Sequence, residues 1–188
     1  MFIINNHHLL SNSDQTSCEN FDERPDENDI SLLVIHNISL PPGKFITQNI
    51  IDFFQNKLNE KKHIYFKEIR NLKVSAHCLI TRNGKIIQFV PFNKRAWHAG
   101  QSSFEKRNRC NDYSIGIELE GTDEIPYTDE QYKSLVEVSM ALMERYPLIT
   151  LDRITGHEFI APERKTDPGV SFDWFRYKSD LEKKAKCI

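Results

Sequence analysis

Two histidines, His36 and His157, each follow a short run with β-branched residues that suits a strand, SLLVI before His36 and DRITG before His157. A catalytic zinc commonly takes three protein ligands from histidine and carboxylate and keeps a fourth position for water. If the two runs are neighbouring parallel strands, both imidazoles emerge at one edge of a sheet, where open α/β sheets place their sites. Asp167 stands ten residues after His157 in RKTDPG, where Pro168 and Gly169 bend the chain and can return a carboxylate to the histidine. Taken singly, each histidine reads first as a hydrogen-bonded structural or surface residue. His7 and His8 near the N-terminus and His63 in a charged linker have no such placement. No local motif such as HExxH is present, so spacing alone leaves the metal reading open.

Other side chains could serve a reaction at that edge. Glu118 lies in YSIGIELEG, two residues after Gly116 on the same strand face. Such a carboxylate can move protons beside a bound substrate, and it can equally line a solvated face with Glu120. Lys165 and Asp167 are two apart, so in an extended loop their side chains share a side, and the lysine could stabilise an oxyanion. Trp97 and His98 in WHAG offer a flat apolar surface beside a polar tip, suited to a sugar ring or to the core. His77 reads either as a partner for a metal-bound imidazole or as an ordinary buried histidine. Cys78 and Cys110 read as small buried residues.

These residues need elements to hold them. SLLVI (31–35) suits a strand buried on both faces, and TQNIIDFFQNKLNE (47–60) an amphipathic helix with Thr47 at its N-cap. SAHCLITRNGKIIQFVPF reads as a hairpin about Asn83-Gly84, the pair preferred in type I′ turns. TDEQYKSLVEVSMALMERYP opens on a capping box from Thr128 to Gln131 and carries an apolar stripe. A terminal helix is expected over SFDWFRYKSDLEKKAK. The fold class expected is α/β, a mixed central sheet with helices packed on it and the site at the strand ends. Residues 1–20 are expected to be a flexible tail, and 21–188 a single domain.

Composition excludes several functions. The net charge is −2, so no basic surface for nucleic acid or anionic lipid is implied. No apolar run approaches the roughly 18–20 residues of a membrane span, and the N-terminus lacks the features of a signal peptide. Cys18, Cys78, Cys110 and Cys187 are widely spaced with no CxxC pair and read as reduced thiols in a cytosol.

The segments VIHNISLPPG, VSAHCLI, RAWHAG, CNDYSIGIELEGTD and TGHEFIAPERKTDPG run in order over roughly residues 21 to 176. Together they resemble the AmpD-type 1,6-anhydro-N-acetylmuramoyl-L-alanine amidases. These belong to a zinc amidase superfamily shared with phage amidase lysozymes and peptidoglycan recognition proteins. The resemblance implies Zn2+ as cofactor, held by His36, His157 and Asp167, with Glu118 and Lys165 as catalytic residues. It also implies that Asn37, Trp97, Arg109 and Ala161 line the muropeptide groove. Asp167 is the AmpD-type third ligand, where zinc-binding phage and recognition-protein relatives commonly have Cys. One position departs: Lys73 stands where the family often has Arg, which replaces a planar fork for a peptide carboxylate by a point charge.

The function so implied is hydrolysis of the amide between the lactyl group of anhydro-muramic acid and L-alanine in recycled wall fragments. The alternative is a non-catalytic muropeptide-binding or sensing module on the same fold, which would tolerate loss of a ligand or of the acid–base pair; all five residues are present. An amidase of intact wall polymer would want export or a wall-binding domain. The expected partner is a small muropeptide, with no nucleic acid and no membrane, for a cytoplasmic monomer.

Overall fold

The computed structural model describes residues 2–186. Its strands are β1 (Asp14–Gln15), β2 (Phe21–Glu23), β3 (Leu32–Ile38), β4 (Cys78–Ile80) and β5 (Ile86–Gln88), then β6 (Lys94–Ala96), β7 (Ser103–Phe104), β8 (Arg107–Asn108), β9 (Ser114–Glu120) and β10 (Ile154–Gly156). The helices are α1 (Thr47–Phe54), α2 (Ile64–Ile69), α3 (Asp129–Arg145), α4 (His157–Ile160) and α5 (Trp174–Ala185). Six strands form the central sheet in the order β1-β5-β4-β9-β3-β10. β3 runs parallel to both β9 and β10, and β4 pairs parallel with β9 and antiparallel with β5. The sheet is mixed, as the sequence implies.

β3 is apolar on both faces because both are covered. Leu33 and Ile35 join Ile115, Ile117 and Leu119 under α3 and α5. Leu32 and Val34 face the other way, against Ala99, Cys110, Tyr113 and Ile160. Beside them on that second face, α1 and α2 bury Ile50, Phe53, Phe54, Phe66 and Ile69 over Leu79 and Ile87. α3 carries the expected capping box: the Gln131 backbone N–H donates to Thr128 Oγ1 at 3.1 Å, and the Thr128 N–H to Gln131 Oε1 at 3.1 Å.

Three expectations are corrected. Residues 1–20 do not form a loose tail in the part described: Ile4, Leu10 and Cys18 are buried in the core, and β1 pairs with β5. The polar run Asn5–His8 is a turn that folds Leu10 back beside Ile4, so its polarity marks a bend rather than disorder. α1 ends at Phe54, short of residue 60, because the same segment caps it. Asn20 donates to the Phe54 carbonyl at 3.1 Å and exchanges amide hydrogen bonds with Asn56, whose φ is 59°. Thr47 is inside the helix, and its hydroxyl donates to Glu120 Oε1 instead of capping.

The third correction is the hairpin turn. Only Gly84 has a positive φ, 79°, and its N–H donates to the Thr81 carbonyl at 2.8 Å. The loop is thus a turn centred on Arg82 and Asn83 with a left-handed glycine after it, a three-residue arrangement rather than type I′. Among the described residues, Cys18, Cys78 and Cys110 are buried free thiols, and Cys187 lies outside them.

Candidate metal centre and amidase site

Parallel pairing brings the two histidines together. Gly156 of β10 pairs with Ile35 of β3, so His157 and His36 follow matched positions and meet at one edge of the sheet. The Asp167 loop then closes over this edge. The Glu158 N–H donates to the Asp167 carbonyl at 2.9 Å, and Gly156 leaves room for the loop, since a Cβ there would lie 2.8 Å from Pro168 Cδ.

Three atoms face one another. His36 Nδ1 lies 3.0 Å from His157 Nδ1 and 2.9 Å from Asp167 Oδ2, and His157 Nδ1 lies 3.1 Å from the same oxygen. Ligands about 2.0–2.1 Å from a tetrahedral zinc stand about 3.3 Å apart, so this triangle needs only slight expansion. The outer nitrogens fix the proton positions. His157 Nε2 sits 3.1 Å from the Ala99 carbonyl, which can only accept, so Nε2 carries the proton and a neutral ring presents the Nδ1 lone pair. Burial pushes His36 down to about 4 against the opposing pull of Asp167, so this ring is neutral at pH 7. Its Nε2 meets His98 Nδ1 at 2.9 Å. Burial opposes ionisation of Asp167, but the two imidazoles outweigh it and hold the carboxyl below the usual range. Two lone pairs and a carboxylate oxygen at such distances repel unless a cation stands among them. The donor set fits a divalent metal.

Glu118 lies beside this triangle. It pairs in register with His36 across β3 and β9, and its Oε2 is buried without a hydrogen-bond partner. Burial, with the Asp167 charge adding to it, raises its carboxyl well above the ordinary value, while Lys165 acts in the opposite sense. A carboxyl so poised suits proton transfer. A cavity of about 360 Å³ opens here, lined by His36, Glu118, His157, Lys165 and Asp167 together with Asn37 and Trp97. Phe53, Tyr65 and Leu72 form part of its apolar wall.

The remaining expected residues are divided. Asn37 donates both amide hydrogens, to Asp123 Oδ1 at 2.8 Å and the Pro168 carbonyl at 3.1 Å, which leaves its Oδ1 to accept. Arg109 and Ala161 line a separate groove with Arg164. Lys73 is exposed and does not line the cavity, although its neighbours Leu72 and Val74 do. Glu120 is structural: Thr47 Oγ1 and the Arg82 N–H donate to it.

Some contributions have little signal in the sequence. Arg164, which reads as a surface charge, donates to the carbonyls of Ala99 and Gln101 at 2.7 Å each. Arg24 is buried and donates to the carbonyls of Asn111, Asp112, Phe92 and Ser114. His63, in the charged linker, accepts the Tyr65 N–H and caps α2.

The chain matches known amidases along nearly its whole length. Residues 26–170 match the family model described as N-acetylmuramoyl-L-alanine amidase. The 1,6-anhydro-N-acetylmuramyl-L-alanine amidase AmpD of Haemophilus influenzae is 57% identical over 174 residues, 93% of this chain and 95% of that protein. A crystal structure of a selenomethionine AmpD derivative superposes with a TM-score of 0.91 at 53% identity, over 95% of this chain and 98% of that one. The amidase AmiD of Escherichia coli, in complex with its substrate anhydro-N-acetylmuramic acid-L-Ala-D-gamma-Glu-L-Lys, superposes with a TM-score of 0.58 at 30% identity, over 80% of this chain and 57% of that one. With the family model matching residues 26–170 and relatives above 50% identical along nearly the whole chain, this chain belongs to the N-acetylmuramoyl-L-alanine amidase family.

Proposed function

We propose that this chain is a zinc-dependent amidase that hydrolyses the amide between the lactyl group of 1,6-anhydro-N-acetylmuramic acid and L-alanine in muropeptides. The observation that carries the reading is the triangle of His36, His157 and Asp167 beside the unpartnered carboxylate oxygen of Glu118. The names of the relatives, AmpD above all, supply the substrate class. Held by those three side chains, zinc would act as a Lewis acid toward the scissile carbonyl and make water more acidic.

The chain's own groups do the rest. Glu118 accepts the proton of the attacking water and delivers it to the nitrogen of L-alanine as the C–N bond breaks. Lys165 sets a positive charge at the same cavity, where it stabilises the oxyanion that develops on the lactyl carbonyl. Asn37 accepts a substrate N–H through its free Oδ1, and Trp97 offers its face to the sugar or lactyl group. Arg109 and Ala161, in their separate groove, take the peptide, and Lys73, between Leu72 and Val74 of the cavity lining, meets the carboxylate of a longer one. The proposal includes a monomer in the cytoplasm working on a diffusible fragment. A net charge of −2 suits that partner better than nucleic acid or an anionic membrane.

The test is mass spectrometry of anhydro-muropeptide incubated with the purified protein, with elemental analysis in parallel. Release of the L-alanyl peptide, abolished by a chelator and restored by zinc, is expected, and Asp167→Ala should lose both metal and turnover. Full turnover by metal-free protein would sink the zinc mechanism. Tight binding of intact muropeptide without cleavage by the zinc-loaded protein would make it a sensing module.

A further inference from the structure

His98 has no role in the chemistry above, yet it touches the metal triangle directly. Its Nδ1 lies 2.9 Å from His36 Nε2 and its Nε2 lies 3.1 Å from Ser114 Oγ, with the two rings nearly perpendicular at 81°. If His36 presents Nδ1 to the centre, its proton sits on Nε2 and must find an acceptor. His98 Nδ1 is that acceptor, and the remaining His98 proton then points to Ser114. The next residue does the same for the other ligand, since the Ala99 carbonyl receives His157 Nε2–H at 3.1 Å. Consecutive residues therefore hold the outer nitrogens of both imidazoles.

The segment that carries them is itself fixed from several sides. Ser75 Oγ accepts the Trp97 N–H at 2.9 Å, and Asn111 Oδ1 accepts the N–H groups of His98 and Ala99 at 3.2 and 2.8 Å. The buried Arg24 holds the Asn111 carbonyl at 3.1 Å, and Arg164 donates to the Ala99 carbonyl at 2.7 Å. The His98 ring lies directly on β9 at Gly116, where a Cβ would come within 2.4 Å of His98 Cγ. Only glycine admits the ring at that place.

We propose that His98 is a positioning residue which, with the Ala99 carbonyl, fixes the tautomer and orientation of both imidazoles at the metal centre. The proposal rests on the metal reading of His36, His157 and Asp167. It follows from the general behaviour of ligating histidines, whose outer N–H partners set ring orientation and basicity, and whose loss typically costs about 10–100-fold in metal affinity.

The test compares full-length wild type, His98→Ala and His98→Gln by competition for zinc with a chromophoric chelator, and by the visible absorption of the cobalt(II) forms. Circular dichroism of the metal-free proteins reports folding. His98→Ala should bind zinc about 10–100-fold more weakly and shift the cobalt bands. His98→Gln, whose side-chain oxygen can accept the His36 proton, should recover part of that loss. Unchanged affinity and spectrum in a folded His98→Ala would overturn the proposal. Should His98→Ala fail to fold, Ser114→Ala decides, since it deletes only the hydroxyl at His98 Nε2; weakened zinc binding supports the proposal and wild-type binding overturns it. Absence of zinc binding by the wild type itself would remove the metal reading and the inference with it, whereas wild-type binding shared by every variant removes the inference alone.

Discussion

His36 and Glu118 are register partners in the parallel ladder between β3 and β9, so the imidazole and the carboxylate leave the sheet from adjacent positions on the same face. The pairing makes their separation a property of the backbone rather than of a loop. A group meant to move protons at a metal centre gains from that rigidity, because misplacement by about 1 Å can cost 10²-fold in rate.

The first prediction separates the two roles. Glu118→Gln keeps the shape and removes the proton acceptor, so it should retain stoichiometric zinc and bind muropeptide yet lose on the order of 10²–10⁴ in kcat. Because Glu118 Oε2 is buried without a partner, the substitution should not lower the melting temperature at neutral pH. Zinc content, substrate affinity and kcat measured together decide it. A variant that has lost its zinc would show that Glu118 supports the metal rather than the reaction.

The N-terminal segment gives a second prediction. Leu10 is buried, and its N–H donates to Gln88 Oε1 at 2.7 Å. Leu10→Ala should therefore destabilise the fold by about 2–5 kcal/mol, as buried leucines do. Urea unfolding measures this. A loss below about 0.5 kcal/mol, the range of surface substitutions, would mean that the segment is loose in solution.

The pH dependence of stability follows from His77. Burial, with the Arg24 guanidinium adding to it, pushes this histidine from 6.5 down to about 3. The Gly116 N–H donates to its Nδ1 at 3.0 Å, so the ring must stay neutral to keep that bond. The folded value lies below the unfolded one, so the unfolded chain takes up the proton first. The stability that His77 contributes is fully present above 6.5 and is lost as pH falls toward 3, by on the order of a few kcal/mol in all. Denaturant titrations of the metal-free protein between pH 7 and pH 4 should show a steeper fall for wild type than for His77→Gln. The difference should approach one proton, about 1.4 kcal/mol per pH unit. Parallel slopes would mean that His77 titrates alike in both states.

The site was more legible in the sequence than the frame that holds it. His36 and His157 are readable because each follows a short strand with β-branched residues, and parallel pairing of two such strands leaves few places for the side chains to go. The alternation in SIGIELE likewise places Glu118 on the face opposite Ile115, Ile117 and Leu119. Tertiary partners leave no periodic trace. Nothing local to Asn20 announces that it will cap α1, and Arg24 and Arg164 look like surface charges until their carbonyl partners are known. The N-terminal turn misleads for a similar reason: Asn and His at a bend have the composition of disorder. The family resemblance names His36, Glu118, His157, Lys165 and Asp167, but it is silent on His98, whose work depends on ring nitrogens and not on residue spacing.

In a central strand, glycine to alanine should gain roughly 0.5–1 kcal/mol. Gly116→Ala should do the opposite, because the new Cβ would lie 2.4 Å from Cγ of a ring held at both nitrogens. Overpacking of this kind costs about 1–3 kcal/mol, and the ring it displaces is the one that holds His36, so zinc affinity should fall as well. Removing the ring removes the conflict. In the double variant with His98→Ala, alanine at 116 has space, and the combined destabilisation should be smaller than the sum of the two single effects by more than about 0.5 kcal/mol. Urea unfolding of the four metal-free proteins closes the cycle. Strict additivity would show that the His98 ring swings aside at little cost, and a ring that moves so freely could not be what orients His36.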